Sequence, residues 1–346
     1  MKGVPLVRAS TVIPFVRFLE PLGLPTGRLL DDVGLPAAVL ERPSLLVPAH
    51  QALRLVAAAA REAGVEHIGL RVGERTPIEL LGAFGKALLG SATLHDALHT
   101  AVCLHPLFAS GGRLWLSTTS DQLWLHHVHD RRVEVGRSDG EEFGLALVLQ
   151  LVGRATREPP PVALHLTATH ARGLEDIGLL ANARVRLGCD SNSVGIPRRL
   201  LGRRMPRNAG GVPSRAELER QLLALAPATD FAGSVQQAVA TLMLGRYPDI
   251  HATAAAVGLT VRTLQRRLAE SAQSYSQVVD QQRCNRAVAL LADPGARITD
   301  IAIELGYSDL ANFTHAFRRW TGVSPRAFRS KASAAWQDVT QGCVSR

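Results

Sequence analysis

Residues Ile298 to Arg329 read "ITDIAIELGYSDLANFTHAFRRWTGVSPRAFR". Phe313 and Phe317 are four apart, and Ala311, Asn312, His315 and Arg318 interleave with them at helical spacing. Side chains three and four apart share one face of a helix. The aromatic residues therefore build a small core, with Trp320 beside them, and the polar set is presented to solvent. Upstream, Gly306 marks a turn that permits positive φ, and Ser308 offers a hydroxyl to cap the helix that follows.

The same design occurs earlier, in "HATAAAVGLTVRTLQRRLAE" (His251 to Glu270). Ala254 corresponds to Ala302, Val257 to Leu305, Gly258 to Gly306 and Thr260 to Ser308; after one inserted residue, Leu264 corresponds to Phe313 and Leu268 to Phe317. Each copy reads as helix, glycine turn, capping hydroxyl and second helix, which is a helix-turn-helix. In the first copy Val261, Leu264 and Leu268 face inward while Arg262, Gln265 and Arg266 lie together on the outside. Arg and Gln or Asn can pair bidentately with guanine and adenine edges, and a small Ala can meet a thymine methyl. Free N–H groups at a helix N-terminus suit phosphate. A solvated helix face explains either copy alone, but the repeat of the design favours recognition of DNA. "YSQVVDQQRCNRAVALLAD" (Tyr275 to Asp293) reads as one long helix between the copies, able to hold two reading helices about one DNA turn, roughly 34 Å, apart.

The remainder of the chain is of another kind. With 346 residues, two domains are expected. Helical patterning in "HQALRLVAAAAREAG" and "RAELERQLLALA" accompanies strand patterning in "GGRLWLSTTSDQLWLHHVHD", a hairpin with its turn near Ser120 and Asp121. "PPPVALHLTATH" and "ARVRLGCDSNSVGI" read as further strands, and "GRRMPRNAGGVPS" (Gly202 to Ser214) as a loop. The expected layout is a mixed α+β domain over 1–225, a linker at 226–232, an all-α domain with two helix-turn-helix motifs over 233–330, and a disordered polar tail at 331–346.

A formal charge of +9 and a pI near 10.2 make an anionic partner worth testing, although lysine occurs only at Lys2, Lys86 and Lys331, so an arginine-rich composition bias explains part of the charge. Residues 231–330 hold eleven Arg against seven Asp or Glu, making this the denser basic half. Cys103, Cys189, Cys284 and Cys343 form no CxxC pair, which suggests neither a zinc site nor a disulfide framework. Pro5, Arg8, Pro14 and Arg17 interrupt any signal-peptide core, and the apolar run from Phe143 is too short to span a bilayer. A cytoplasmic, nucleoid-associated protein without membrane contact is expected.

The C-terminal segments "LTVRTLQRRL", "NRAVALLAD" and "ITDIAIELGYSDLANFTHAFRRWTGVSPRAFR" resemble the DNA-binding domain of the AraC/XylS family of bacterial transcription regulators. The likeness covers about Phe231 to Arg329. It implies a seven-helix unit whose two motifs enter successive major grooves of operator DNA. Base contacts carry over to Arg262, Gln265, Arg266, Ala311, Asn312 and His315, and phosphate contacts to Thr260, Arg267, Ser308, Arg318 and Arg319. The first motif departs from the pattern in having Thr253 where a bulky Val or Ile is usual. Residues Leu80 to Phe108 and "VGIPRRLLGRRMP" are similar to the arabinose-binding-like companion domain of one AraC subgroup. That resemblance implies effector sensing and homodimerisation, with a small-molecule effector as partner and no cofactor.

Two further constellations stand out. His95, His99 and Cys103 follow one helical stripe, which could hold a metal or line a helix interface. His127 and His129 share one face of the hairpin, where a solvated surface accounts for them as well as a function does. No phosphate-binding glycine loop, GxSxG elbow or HExxH is present, so catalysis is not expected. A ligand-independent DNA-binding protein, whose N-terminal half only dimerises, is the alternative to an effector-responsive regulator. A catalytic N-terminal domain joined to a DNA anchor is a further one.

Overall fold

The structure is a computed structural model that describes residues 3–130, 133, 135–159, 161–206, 213–245 and 247–332, the last two residues by backbone only. The expected tail from residue 333 onward, and residues 207–212 of the expected loop, lie outside the described residues. The N-terminal half contains helices α1 (Ile13–Leu19), α2 (Thr26–Val33), α3 (Ala49–Ala63), α4 (Ile68–Arg75), α5 (Ala83–Leu89), α6 (Leu94–Phe108), α7 (Arg137–Thr156), α8 (Arg198–Leu201) and α9 (Arg215–Ala224). Its strands are β1 (Leu6–Arg8), β2 (Leu46–Pro48), β3 (Gly112–Thr118), β4 (Gln122–His129), β5 (Ala163–His165), β6 (Arg184–Arg186) and β7 (Asn192–Pro197). Helices α10 (Phe231–Leu242), α11 (Ile250–Ala256), α12 (Val261–Ala269), α13 (Tyr275–Leu291), α14 (Ile298–Glu304), α15 (Leu310–Thr321) and α16 (Pro325–Ala332) follow, with no strand among the described residues. The mixed α/β fold of the first half and the helical second half agree with the patterning.

Strands β3 to β7 form one sheet in the order β3-β4-β7-β5-β6, antiparallel except for the β5–β6 pair. Side chains alternate across a strand, and β4 obeys the rule: Leu123, Leu125, His127 and His129 are buried, whereas Trp124 and His126 lie on the other face. Helix α7 packs against the inner face. It is long, and Phe143, Leu145, Ala146, Leu149 and Val152 bury it on several sides, as its largely apolar run requires. Helix α6 starts at a reciprocal cap: Thr93 Oγ1 accepts from the Asp96 N–H, and the Asp96 carboxylate accepts from the Thr93 N–H.

Two readings of the first half change. His127 and His129 do not lie on a solvated hairpin surface; they point into the core, because α7 covers the face they share with Leu123 and Leu125. His95, His99 and Cys103 do lie along one side of α6, but that side is exposed and lines no helix interface. The His95 and His99 rings lie tilted with centroids 4.4 Å apart, and no metal-holding group of three or more His, Cys, Asp or Glu exists among the described residues.

Strands β1 and β2 form a separate antiparallel ribbon. One part of it serves the second half of the chain: Val4, Leu6 and Leu46 belong to the same apolar cluster as Phe231, Val235, Val239, Leu264 and Leu268. The Val4 N–H donates to Ser234 Oγ at 2.7 Å and Thr241 Oγ1 donates to Leu46 O at 2.7 Å, so the ribbon is bonded to α10. Residues 228–230 are irregular and α10 opens at Phe231, inside the stretch whose composition marks a linker.

Candidate nucleic-acid interface

The first motif is α11, a turn and α12. Gly258 has φ 68°, and the Leu259 N–H donates to Ala254 O at 2.8 Å to close the turn. A side chain at 258 would also collide with the N-terminal half, since a Cβ there would lie 2.9 Å from His50 Nδ1. Thr260 Oγ1 caps α12 by accepting from the Thr263 N–H at 3.2 Å. Leu264 and Leu268 are fully buried, and Arg262, Gln265 and Arg266 are exposed together on the opposite side. Thr253 is also fully buried. Its hydroxyl meets Tyr275 Oη at 2.7 Å, and Tyr275 in turn reaches the carbonyls of Pro248 and Asp249. A polar residue in an apolar position is thus satisfied by a tyrosine from α13.

The second motif is α14, a turn at Gly306 (φ 79°) and α15. Its cap is not Ser308, as the repeat suggested, but Asp309, whose carboxylate accepts from the Asn312 N–H at 2.7 Å. The inserted residue that separates the copies therefore falls before the cap, so Thr260 corresponds to Asp309. The backbone N–H of Asn312, then bonds from Ser308 and from Asn312 itself, hold the Asp309 carboxyl below its ordinary value. Phe313 and Phe317 are fully buried with centroids 5.7 Å apart, and Phe317 also meets Phe328 edge-on at 5.5 Å. Ala311, Asn312, His315 and Arg318 are exposed on the opposite side.

Helix α13 ties the motifs together. Val278 and Val279 lie in the first motif's core, and Ala287 and Leu291 lie in the second's. With 17 residues it is about 25 Å long. The guanidinium of Arg283 sits 3.9 Å from the Tyr247 ring centroid and 4.8 Å from that of Tyr307, bracing the second turn against the loop after α10.

Several expected contact residues have partners within the chain. Arg266 pairs with Glu270 at 2.8 Å, and Arg319 with Asp280 at 2.8 Å. Asn312 Nδ2 donates to Asp309 Oδ2 at 2.7 Å, and Arg267 stacks over Phe231 at 3.9 Å. The exposed ion pairs are worth little and part at little cost; the Arg267 stack lies against a buried ring and is the hardest to leave. The faces of both motifs were legible from spacing. Tyr275 and Arg283 were missed, because nothing in a linker helix signals which distant loop it braces.

A family model for the arabinose-binding domain of AraC transcription regulators matches residues 23–205, and a helix-turn-helix domain model matches 253–331. The chain belongs to the AraC family of transcription regulators. An uncharacterized HTH-type transcriptional regulator of Mycobacterium tuberculosis is 26% identical over 333 residues, covering 88% of this chain and 91% of its own. The ornithine utilization regulator of Pseudomonas aeruginosa is 25% identical over 342 residues, covering 94% and 96%. The P. aeruginosa regulator VqsM is 45% identical over 85 residues, 25% of this chain and 26% of its own. This AraC-family chain is a DNA-binding transcription regulator and not an enzyme. No helix among the described residues is long and apolar enough to cross a membrane.

Proposed function

We propose that this regulator reads operator DNA with Arg262, Gln265 and Arg266 of α12 and Ala311, Asn312 and His315 of α15, in two successive major grooves. In this reading it works in the cytoplasm, associated with the nucleoid, as a homodimer whose N-terminal domain (1–225) binds a small-molecule effector. The observation that carries it is the split of both second helices. In each, a buried apolar pair backs an exposed set of side chains able to pair with base edges. Thr260, Ser308, Arg318 and Arg319 flank those sets at positions suited to phosphate. Arg267 joins them only by leaving Phe231.

Footprinting of the full chain on DNA upstream of its own gene tests the reading. Arg266→Ala and Asn312→Ala should each weaken specific binding by about 1–3 kcal/mol and relax the preference at one base position. Two variants that protect the site as the parent does would disprove the assignment. Sedimentation with and without DNA tests the dimer, which would bind more tightly than residues 231–346 alone because linked reading units raise the effective concentration. The effector is tested by whether a metabolite that raises the melting temperature also changes operator affinity.

A further inference from the structure

Beneath the inner face of the sheet lies a cavity of about 100 Å³. Phe15, Phe84, Phe108 and Phe143 contribute to its wall, and no carboxylate, guanidinium or ammonium group lines it among the described residues. Its polar atoms come mainly from His105, His127 and His129, all buried. A glycine on α7 makes the space for the His127 ring: a Cβ at Gly144 would lie 2.5 Å from His127 Nδ1, while one at Gly140 would lie 2.5 Å from Leu53 Cδ2, beside His129. His127 Nδ1 is bonded to Glu141 O at 3.2 Å, whereas His129 Nδ1 is buried without a partner. A buried polar atom left unpaired is costly, so this nitrogen marks a place for a bound group.

The cavity adjoins a cleft of about 1040 Å³, with His105, Ala109, Leu114 and His129 lining both. The cleft is polar. Arg113, Arg137, Asp130, Glu141 and Asp190 line it; Arg137 pairs with Glu141 at 3.8 Å and Arg113 lies over the Trp115 ring at 4.7 Å. Pro227, Ala228 and Thr229 form its far wall, on the segment that leads into α10. That segment is bonded to both halves: the Gly3 N–H donates to Thr229 O at 3.2 Å, and the Ala228 N–H donates to Gln237 Oε1 at 2.8 Å.

We propose that the cavity and cleft form one effector site for a small uncharged amphiphile, a short alkyl or acyl chain ending in a carbonyl or hydroxyl that bonds to His129. The chain enters the cavity, its oxygen sits at the junction between His105 and His129, and any further polar part extends along the cleft to the 227–229 segment. Size sets the chain: an apolar cavity of ~150 Å³ takes a benzene ring, so this smaller one takes a short or branched chain and not a fused ring. An uncharged head group suits the junction, because no charged side chain lines the cavity among the described residues and the two arginines of the cleft are already engaged, Arg137 with Glu141 and Arg113 over the Trp115 ring. Burial also keeps the imidazoles neutral. Contact with the 227–229 segment gives the occupant a route to α10 and the first reading motif. This inference rests on the effector reading above and specifies its ligand.

The test uses the full-length protein with 2-alkanones of four to ten carbons as probes and sodium hexanoate as the charged counterpart, followed by saturation-transfer NMR. Affinity should rise through the short ketones and then level, with hexanoate at least tenfold weaker at pH 7.5. His129→Leu should weaken ketone binding about tenfold, and Val148→Phe should abolish it. Ala101→Val is a milder way to fill the cavity should either of those variants fail to fold. No ketone bound at millimolar concentration, equal binding of ketone and carboxylate, or binding untouched by the filled cavity would overturn the proposal. Operator affinity measured in the same samples separates the two readings. Ketone binding in the cavity without change in DNA affinity removes the effector role and keeps the site. A DNA response to another metabolite that survives Val148→Phe keeps the effector role and removes this site.

Discussion

The guanidinium carbon of Arg267 lies 3.9 Å from the ring centroid of Phe231, so an expected phosphate contact of the first reading helix rests on the first residue of α10. Arg318, on the second reading helix, is exposed. The two arginines should therefore behave differently. Each phosphate contact contributes about one unit to the slope of log affinity against log salt. Arg318→Ala should lower that slope by about 1, and Arg267→Ala should leave it unchanged while lowering the melting temperature of the helical half. A reduced slope with unchanged melting for Arg267→Ala would place its side chain on the DNA.

The two candidate caps of α15 make opposite predictions. Asp309 bonds the Asn312 N–H, and the Ser308 hydroxyl bonds only side chains, at Asp309 and Asn312. Asp309→Ala should lower the melting temperature, and Ser308→Ala should barely move it. The reverse order, in calorimetric scans of the two variants, would restore the serine as the cap.

The buried Thr253 hydroxyl pairs with that of the half-buried Tyr275 at 2.7 Å. Tyr275→Phe leaves the Thr253 hydroxyl without that partner and should cost about 1–3 kcal/mol. Thr253→Val on that background removes the orphaned group and should recover much of the loss. Urea unfolding of the four proteins of the cycle measures this; additive losses would show that the hydroxyls act independently.

The cavity histidines give the N-terminal half an acid sensitivity. Burial pushes His105 down to about 3 and His127 down to about 4, and holds His129 well below its ordinary value. An unfolded histidine takes up its proton near pH 6.5, and the folded imidazole does not. The share of stability that these histidines carry is therefore full above about pH 6.5 and falls as the pH drops from there toward the folded values. His105→Leu removes one such proton, so its stability should fall less steeply between pH 6.5 and 4.5, by about 1.4 kcal/mol per pH unit. Parallel pH profiles for parent and variant would mean that His105 is protonated in the folded chain.

The two reading motifs were legible in the sequence because everything that makes them is local. The i, i+4 phenylalanines, the turn glycines and the exposed polar set lie within some twenty residues of each other, and helical geometry alone assigns their faces. Even there the cap was misplaced by one residue, since Ser308 and Asp309 can both accept the same N–H and only the backbone path chooses between them. The first half was legible as a mixture of helices and strands but not as a site. The alternation of β4 puts His127 and His129 on the face of Leu123 and Leu125, yet alternation does not say which face α7 will cover. The bond from Val4 to Ser234 and the packing of Leu6 and Leu46 against α10 were beyond reach for the same reason. Apolar burial is non-directional and carries no label for its partner. A contact across 230 residues is therefore decided only when the whole chain has closed around it.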